Sequence, residues 1–171
     1  MTFKVLWTGD DSICKMEFVK RFVQGSFSQD KLMTVGMEPF SKNVCFDGNS
    51  IILSIWVVNG EDRFKVMSGM FFRNTDGAFI FYDITNRTSF ENVDRWIQEI
   101  RSFEPQASII LVGNKNDLID QREVTIKEGE EKANKLGLFK FIETSVLSGE
   151  NIEDAFLLLA KKLVNPYAEV E

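Results

Sequence analysis

The sequence predicts an α/β fold, a mostly parallel six-stranded sheet with one antiparallel edge hairpin and helices on both faces. Three observations predict it. Short apolar runs such as Gly77–Tyr82 and Ile109–Val112 carry no polar alternation, as expected of strands covered on both faces. Segments between them repeat apolar residues with a helical period, as crossover helices do. One polar turn, Asp47-Gly48-Asn49, sits between two strand-like runs and reads as a hairpin.

Phe3–Thr8 is the first strand and ends in Gly9. Lys15–Val23 brings Met16, Phe18, Val19, Phe22 and Val23 together as a helix, which Gly25 closes. Val44–Phe46 and Ile51–Val57 are the arms of the hairpin, and Gly77–Tyr82 is a buried strand. Ser89–Phe103 aligns Phe90, Val93, Trp96, Ile97 and Ile100 on one helical face. Ile109–Val112 is a further strand and Ile126–Leu136 a charged helix, whose Glu128, Glu130 and Glu131 read as a solvated face. Phe139–Ile142 is strand-like, and Ile152–Leu163 is a helix with a strongly apolar face. No repeat or low-complexity tract interrupts the chain. Residues 1–171 read as one domain, the expectation at ~100–200 residues per domain.

Composition narrows the chemistry. A net charge of −6 argues against broad nucleic-acid binding, which needs a basic face. The chain has no histidine, which removes the commonest general base and metal ligand and excludes Ser-His-Asp and Cys-His machinery. Its only cysteines, Cys14 and Cys45, make no disulfide scaffold and point to a reducing, cytoplasmic compartment. No targeting signal is present, and no run approaches the ~20 apolar residues of a membrane span. Asn165–Glu171 lacks the cysteine that a prenyl anchor requires. A lipidated tail, and attachment to the surface of intracellular membranes, would belong to a longer native protein.

Ligands of such a sheet sit beyond the carboxyl ends of its strands. Gly113-Asn114-Lys115-Asn116-Asp117 lies there. A carboxylate at Asp117 can accept hydrogen bonds from the N1–H and 2-amino group of guanine, a donor pair that adenine lacks, and Lys115 can lay its stem along the base. The plainer reading is a polar turn capping the strand. Gly9-Asp10-Asp11-Ser12-Ile13-Cys14-Lys15-Met16 occupies the place of a phosphate loop, between the first strand and first helix. An intact loop reads G-x-x-x-x-G-K-[ST], with backbone N–H groups and the lysine on phosphates and the hydroxyl on Mg²⁺. Gly9 and Lys15 fit, whereas Cys14 replaces the second glycine and Met16 the hydroxyl. As a bare pattern this is a turn; its position makes it a degenerate phosphate loop.

With these segments the chain resembles a small GTPase of the Ras superfamily, and Rab proteins most. The resemblance runs over nearly the whole chain. Thr34-Val35-Gly36 is similar to the first switch, and Ile55-Trp56, Arg63-Phe64 and Phe71-Phe72-Arg73 to the second. Tyr82-Asp83-Ile84-Thr85, Ser89-Phe90-Glu91-Asn92-Val93 and Trp96 follow the Rab pattern, and Glu143-Thr144-Ser145 matches the last base motif. The resemblance implies a P-loop G domain holding GDP or GTP. It places Phe27 edge-on to the base, Ser145 and Val146 beside its O6, and Leu147 where the family carries a covering lysine. An aromatic after a helix is ordinarily core, and it is the family position that favours the ligand reading of Phe27.

The departures carry the functional prediction. Relatives begin the second switch W-D-T-A-G-Q-E; this chain has Trp56-Val57-Val58-Asn59-Gly60-Glu61-Asp62. Val57 and Met16 replace two Mg²⁺ anchors, leaving Thr34, and neither side chain offers the oxygen that this ion needs. Glu61 stands in for the water-orienting glutamine; it can only accept hydrogen bonds and is repelled by a γ-phosphate. Asp11 adds a further carboxylate, while Gly60 and Lys15 still supply donors. Cys14 reads as an inert replacement for glycine or as a thiol activated at a helix start. The resulting expectation is a guanine-nucleotide-binding domain with weak or absent Mg²⁺ dependence and little or no hydrolysis. It would act in vesicle traffic or signalling through effectors or regulators at the switch surface. The alternatives are a nucleotide-free interaction module and a cycling GTPase whose partner supplies the missing groups. Phe40, Trp56, Phe64 and Phe72 read equally as that surface and as core.

Overall fold

The computed structural model describes residues 1–10, 17–18, 21–22, 39–58, 69 and 71–167. Strands β1 (Thr2–Gly9), β2 (Phe40–Phe46), β3 (Asn49–Val57), β4 (Gly77–Asp83), β5 (Ser108–Asn114) and β6 (Lys140–Thr144) form one six-stranded sheet in the order β2-β3-β1-β4-β5-β6. Every neighbouring pair is parallel except β2 and β3, which form the antiparallel edge hairpin. Asp47 and Gly48 turn that hairpin with φ of 47° and 78°, the left-handed pair that matches strand twist.

Alternation across the strands builds two cores. Val5 and Trp7 of β1, Phe79 and Phe81 of β4, and Ile110 and Val112 of β5 face one side. There they meet helical Phe18 and Phe22 and helix α4 (Ile152–Val164), which inserts Phe156 and Leu159. Leu6, Ile80, Tyr82 and Leu111 face the other side. Helices α1 (Arg87–Glu91), α2 (Val93–Phe103) and α3 (Ile126–Lys135) cover them with Phe90, Trp96, Ile100 and Ala133. The buried runs are continuous because helices lie on both faces.

Several elements differ from the sequence prediction. The helix expected from Ser89 begins at Arg87, because the Asn86 side chain accepts from Ser89 N–H and caps it. It divides at Asn92 into α1 and α2. Phe72, one of the aromatics weighed as surface, is wholly buried in the second core. Phe40 and Trp56 are half-buried, with Phe71 at 6.0 Å from Trp56, and Phe64 lies outside the described residues. Glu128 is more than a solvated charge. It completes a capping box with Thr125 and pairs with Arg87 at 2.9 Å, and these bonds hold its carboxyl down at about 2.

Candidate functional site

The sheet order makes β1 the switch point, since β2 and β3 lie on one side of it and β4, β5 and β6 on the other. The crevice at such a point is where open α/β sheets take ligands. Parallel register brings the ends together: Gly9 is level with Phe81, Asp83 with Asn114, and Asn114 with Thr144.

Gly9 is required by close approach. Its φ is +134°, and a Cβ there would lie 2.3 Å from the Phe81 carbonyl oxygen. Asp10, the next residue, turns its carboxylate toward α2. Oδ1 accepts from Trp96 Nε1 at 2.8 Å and Oδ2 from Asn92 Nδ2 at 2.5 Å, with Arg95 at 3.7 Å. Asp10 therefore anchors the start of the phosphate-loop segment with its side chain, leaving only its backbone to face a ligand.

At the end of β5, Lys115 adopts a left-handed backbone with φ of 69°. Its Nζ donates to Asp83 Oδ2 at 2.5 Å. Asp83 Oδ1 accepts from the Thr85 hydroxyl at 2.6 Å and the Thr85 N–H at 2.8 Å. Burial alone would push the Asp83 carboxyl up; the bonds from Lys115 and Thr85 outweigh it and hold the group below the usual carboxylate range.

Asn114 is buried, and its Oδ1 accepts from Thr144 Oγ1 at 3.3 Å. Its Nδ2 is buried with no hydrogen-bond partner among the described residues. A buried donor left unpaired costs about 1–3 kcal/mol, a cost that a ligand acceptor would remove. Asp117 is exposed beside it, and Ser145 Oγ donates to Asp117 Oδ1 at 2.5 Å. Ser145 is itself fully buried, so this carboxylate is aimed from below. Val146 packs into the first core, whereas Leu147 leaves 66% of its surface exposed. The end of β6 is steadied by a forked pair in which Arg122 donates to both Glu143 oxygens at 2.6 and 2.8 Å.

The structure thus brings Gly9, Asp10, Asn114, Lys115, Asp117, Ser145, Val146 and Leu147 to the carboxyl ends of the strands. Asp11, Ser12, Ile13, Cys14, Lys15, Met16, Phe27, Thr34, Gly60 and Glu61 lie outside the described residues. Val57, at the position of a magnesium-anchoring aspartate, ends β3 level with Trp7 and packs against the first core. An aliphatic side chain in that position offers no oxygen and does not fit the ion. Sequence reasoning missed Arg21, whose guanidinium reaches the backbone of the Ser145–Gly149 loop. A lone arginine in a segment predicted as an amphipathic helix gives no local signal for such a contact.

A model of the Ras family matches residues 4–165. Over 164 residues the chain is 37% identical to Ras-related protein Rab11D of Nicotiana tabacum, covering 95% of this chain and 73% of that protein. Ras-related protein RABA4b of Arabidopsis thaliana gives the same figures, 37% over 164 residues, 95% and 73%. Ras-related protein RGP2 of Oryza sativa subsp. japonica is 39% identical over 155 residues, 90% of this chain and 71% of the relative.

Proposed function

The chain belongs to the Ras family of small GTPases and is Rab-like, and on that premise we propose that it is an atypical G domain. It binds guanine nucleotide with weak dependence on Mg²⁺, hydrolyses GTP little or not at all, and regulates vesicle traffic or signalling. The observation that supports this most is the buried Asn114 Nδ2, without a partner among the described residues, close to the Ser145-held Asp117 carboxylate. That set offers a donor for a ring nitrogen and an acceptor for the N1–H and 2-amino edge, which guanine presents and adenine does not. Lys115, steadied by Asp83, holds its stem next to Asn114 for the base face.

A bound nucleotide would bring the phosphates that a GTPase works on. This chain contributes binding and orientation at the base end. At the phosphate end Val57 offers no oxygen, and in Glu61 and Met16 the sequence lacks the usual water-holder and hydroxyl. Intact relatives without an activating partner hydrolyse GTP at only roughly 10⁻⁴ s⁻¹, so these losses leave little. Effectors or regulators would meet the half-buried Phe40, Trp56 and Phe71 surface.

The test is nucleotide content and competition. Denatured protein should release GDP or GTP, and GDP should displace it where ADP does not. Asp117→Ala should weaken GDP by about 1–3 kcal/mol, the usual worth of a base-edge pair. Equal competition by ADP would overturn the base assignment. A protein that neither carries nor binds guanine nucleotide would be an interaction module instead. Single-turnover phosphate release on the ~10⁻⁴ s⁻¹ scale would overturn the hydrolysis-deficient reading.

A further inference from the structure

Arg21 adjoins Phe22 in a helical turn, and Phe22 stacks on Phe156 of α4 at 3.4 Å, so the place of Arg21 against α4 is set by packing. From there its guanidinium meets successive carbonyls of the loop after β6. Nη1 donates to Val146 O at 3.1 Å and Leu147 O at 3.4 Å, and Nη2 to Ser148 O at 3.1 Å. Gly149 makes room: at its φ of +83°, a Cβ would stand 2.6 Å from Arg21 Nε and Nη2. The same loop closes on Ser145. Gly149 N–H donates to Ser145 O at 2.8 Å and Ser148 N–H to Ser145 Oγ at 3.1 Å, and that hydroxyl donates to Asp117 at 2.5 Å.

Carbonyl oxygens that converge repel one another unless a cation sits between them. A planar fork with several fixed donors can serve several at once, which a lysine ammonium cannot do in the same geometry. The Leu147 side chain, 66% exposed, does not tie the loop down. We propose that Arg21 is a positioning residue for base recognition: it holds the Val146–Ser148 backbone so that Ser145 aims the Asp117 carboxylate. This rests on the guanine-nucleotide reading above.

The experiment compares the unsubstituted protein with Arg21→Gln and Arg21→Lys in two measurements. Amide hydrogen exchange over residues 145–149 is followed in nucleotide-free protein. Affinities for GDP and for inosine diphosphate, which lacks the 2-amino group, give a discrimination ratio. Arg21→Gln should speed exchange at Ser148 and Gly149 by roughly tenfold and lower the ratio, with Arg21→Lys between. A purely structural arginine would weaken both nucleotides equally; an unchanged ratio with GDP still bound overturns the proposal alone. If the unsubstituted protein binds neither nucleotide, the guanine reading falls and takes the proposal with it. Should Arg21→Gln fail to fold, Arg21→Lys carries the same two measurements.

Discussion

At Asp83, burial and hydrogen bonding act in opposite directions, and hydrogen bonding wins. The consequence is a sign for pH dependence. The folded carboxyl titrates below its unfolded value of ~3.9, so its stabilisation is complete above that value. It is lost as pH falls through the lower folded value. Asp83→Asn keeps the shape but removes the charge that Lys115 and Thr85 address at 2.5 to 2.8 Å. It should lower stability at pH 7 by about 1–2 kcal/mol. Urea midpoints of the two proteins should converge as the pH falls below the ordinary carboxylate range. A constant gap across that range would place the stabilisation elsewhere. The residue types at Asn114, Lys115 and Asp117 were legible in the sequence because their order after a strand is itself chemically informative. The Asp83–Lys115 contact and the Asp10 clasp to Asn92 and Trp96 were not, since the partners are 32 and 82 or more positions apart.

Among the elements, the buried strands were the most legible and the edge hairpin the least. β4 and β5 read directly because helices on both faces demand apolar side chains along the middle of each strand. β2 runs from Phe40, well before the expected Val44, because as an edge strand it exposes Ser41, Asn43 and Cys45 in alternation with partly buried neighbours. That polar alternation hides a strand from a search for apolar runs. The helix from Ser89 was expected to be continuous. Asn92 interrupts it, sending its side-chain amide to Asp10. The strands also set how tightly the site is framed. Gly9→Ala would put a methyl group 2.3 Å from the Phe81 carbonyl oxygen at a φ of +134°. Backbone cannot rotate aside as a side chain can, so the loss should exceed the ~1–3 kcal/mol of ordinary overpacking. A melting temperature within a degree or two of the parent would refute that framing of β1 against β4.

At the scale of the whole molecule, the proposed function divides the site into a base end and a phosphate end. Asn114 keeps a buried amide NH2 at the end of β5 with no partner among the described residues, while Val57, only partly buried, packs against the first core. Nucleotide affinity should therefore rest on the base far more than on an ion. GDP dissociation should change little when EDTA replaces Mg²⁺. Release faster by about tenfold or more, equal to ~1.4 kcal/mol, would mean that an ion is still held well. Within the first core, Trp7, Phe18, Phe79, Phe81 and Phe156 form one aromatic layer. That layer has an optical consequence. The chain's three tryptophans occupy three unlike settings. Trp7 is sealed among phenyl rings, with Phe81 stacked at 4.3 Å, and its emission follows unfolding of the entire domain. Trp56, half-buried at the surface, senses whatever covers that face. Trp96 is bonded through its indole N–H to Asp10, where β1 gives way to the phosphate-loop segment. With phenylalanine at the other two positions, its fluorescence becomes a native gauge of how that loop is seated, with no label attached.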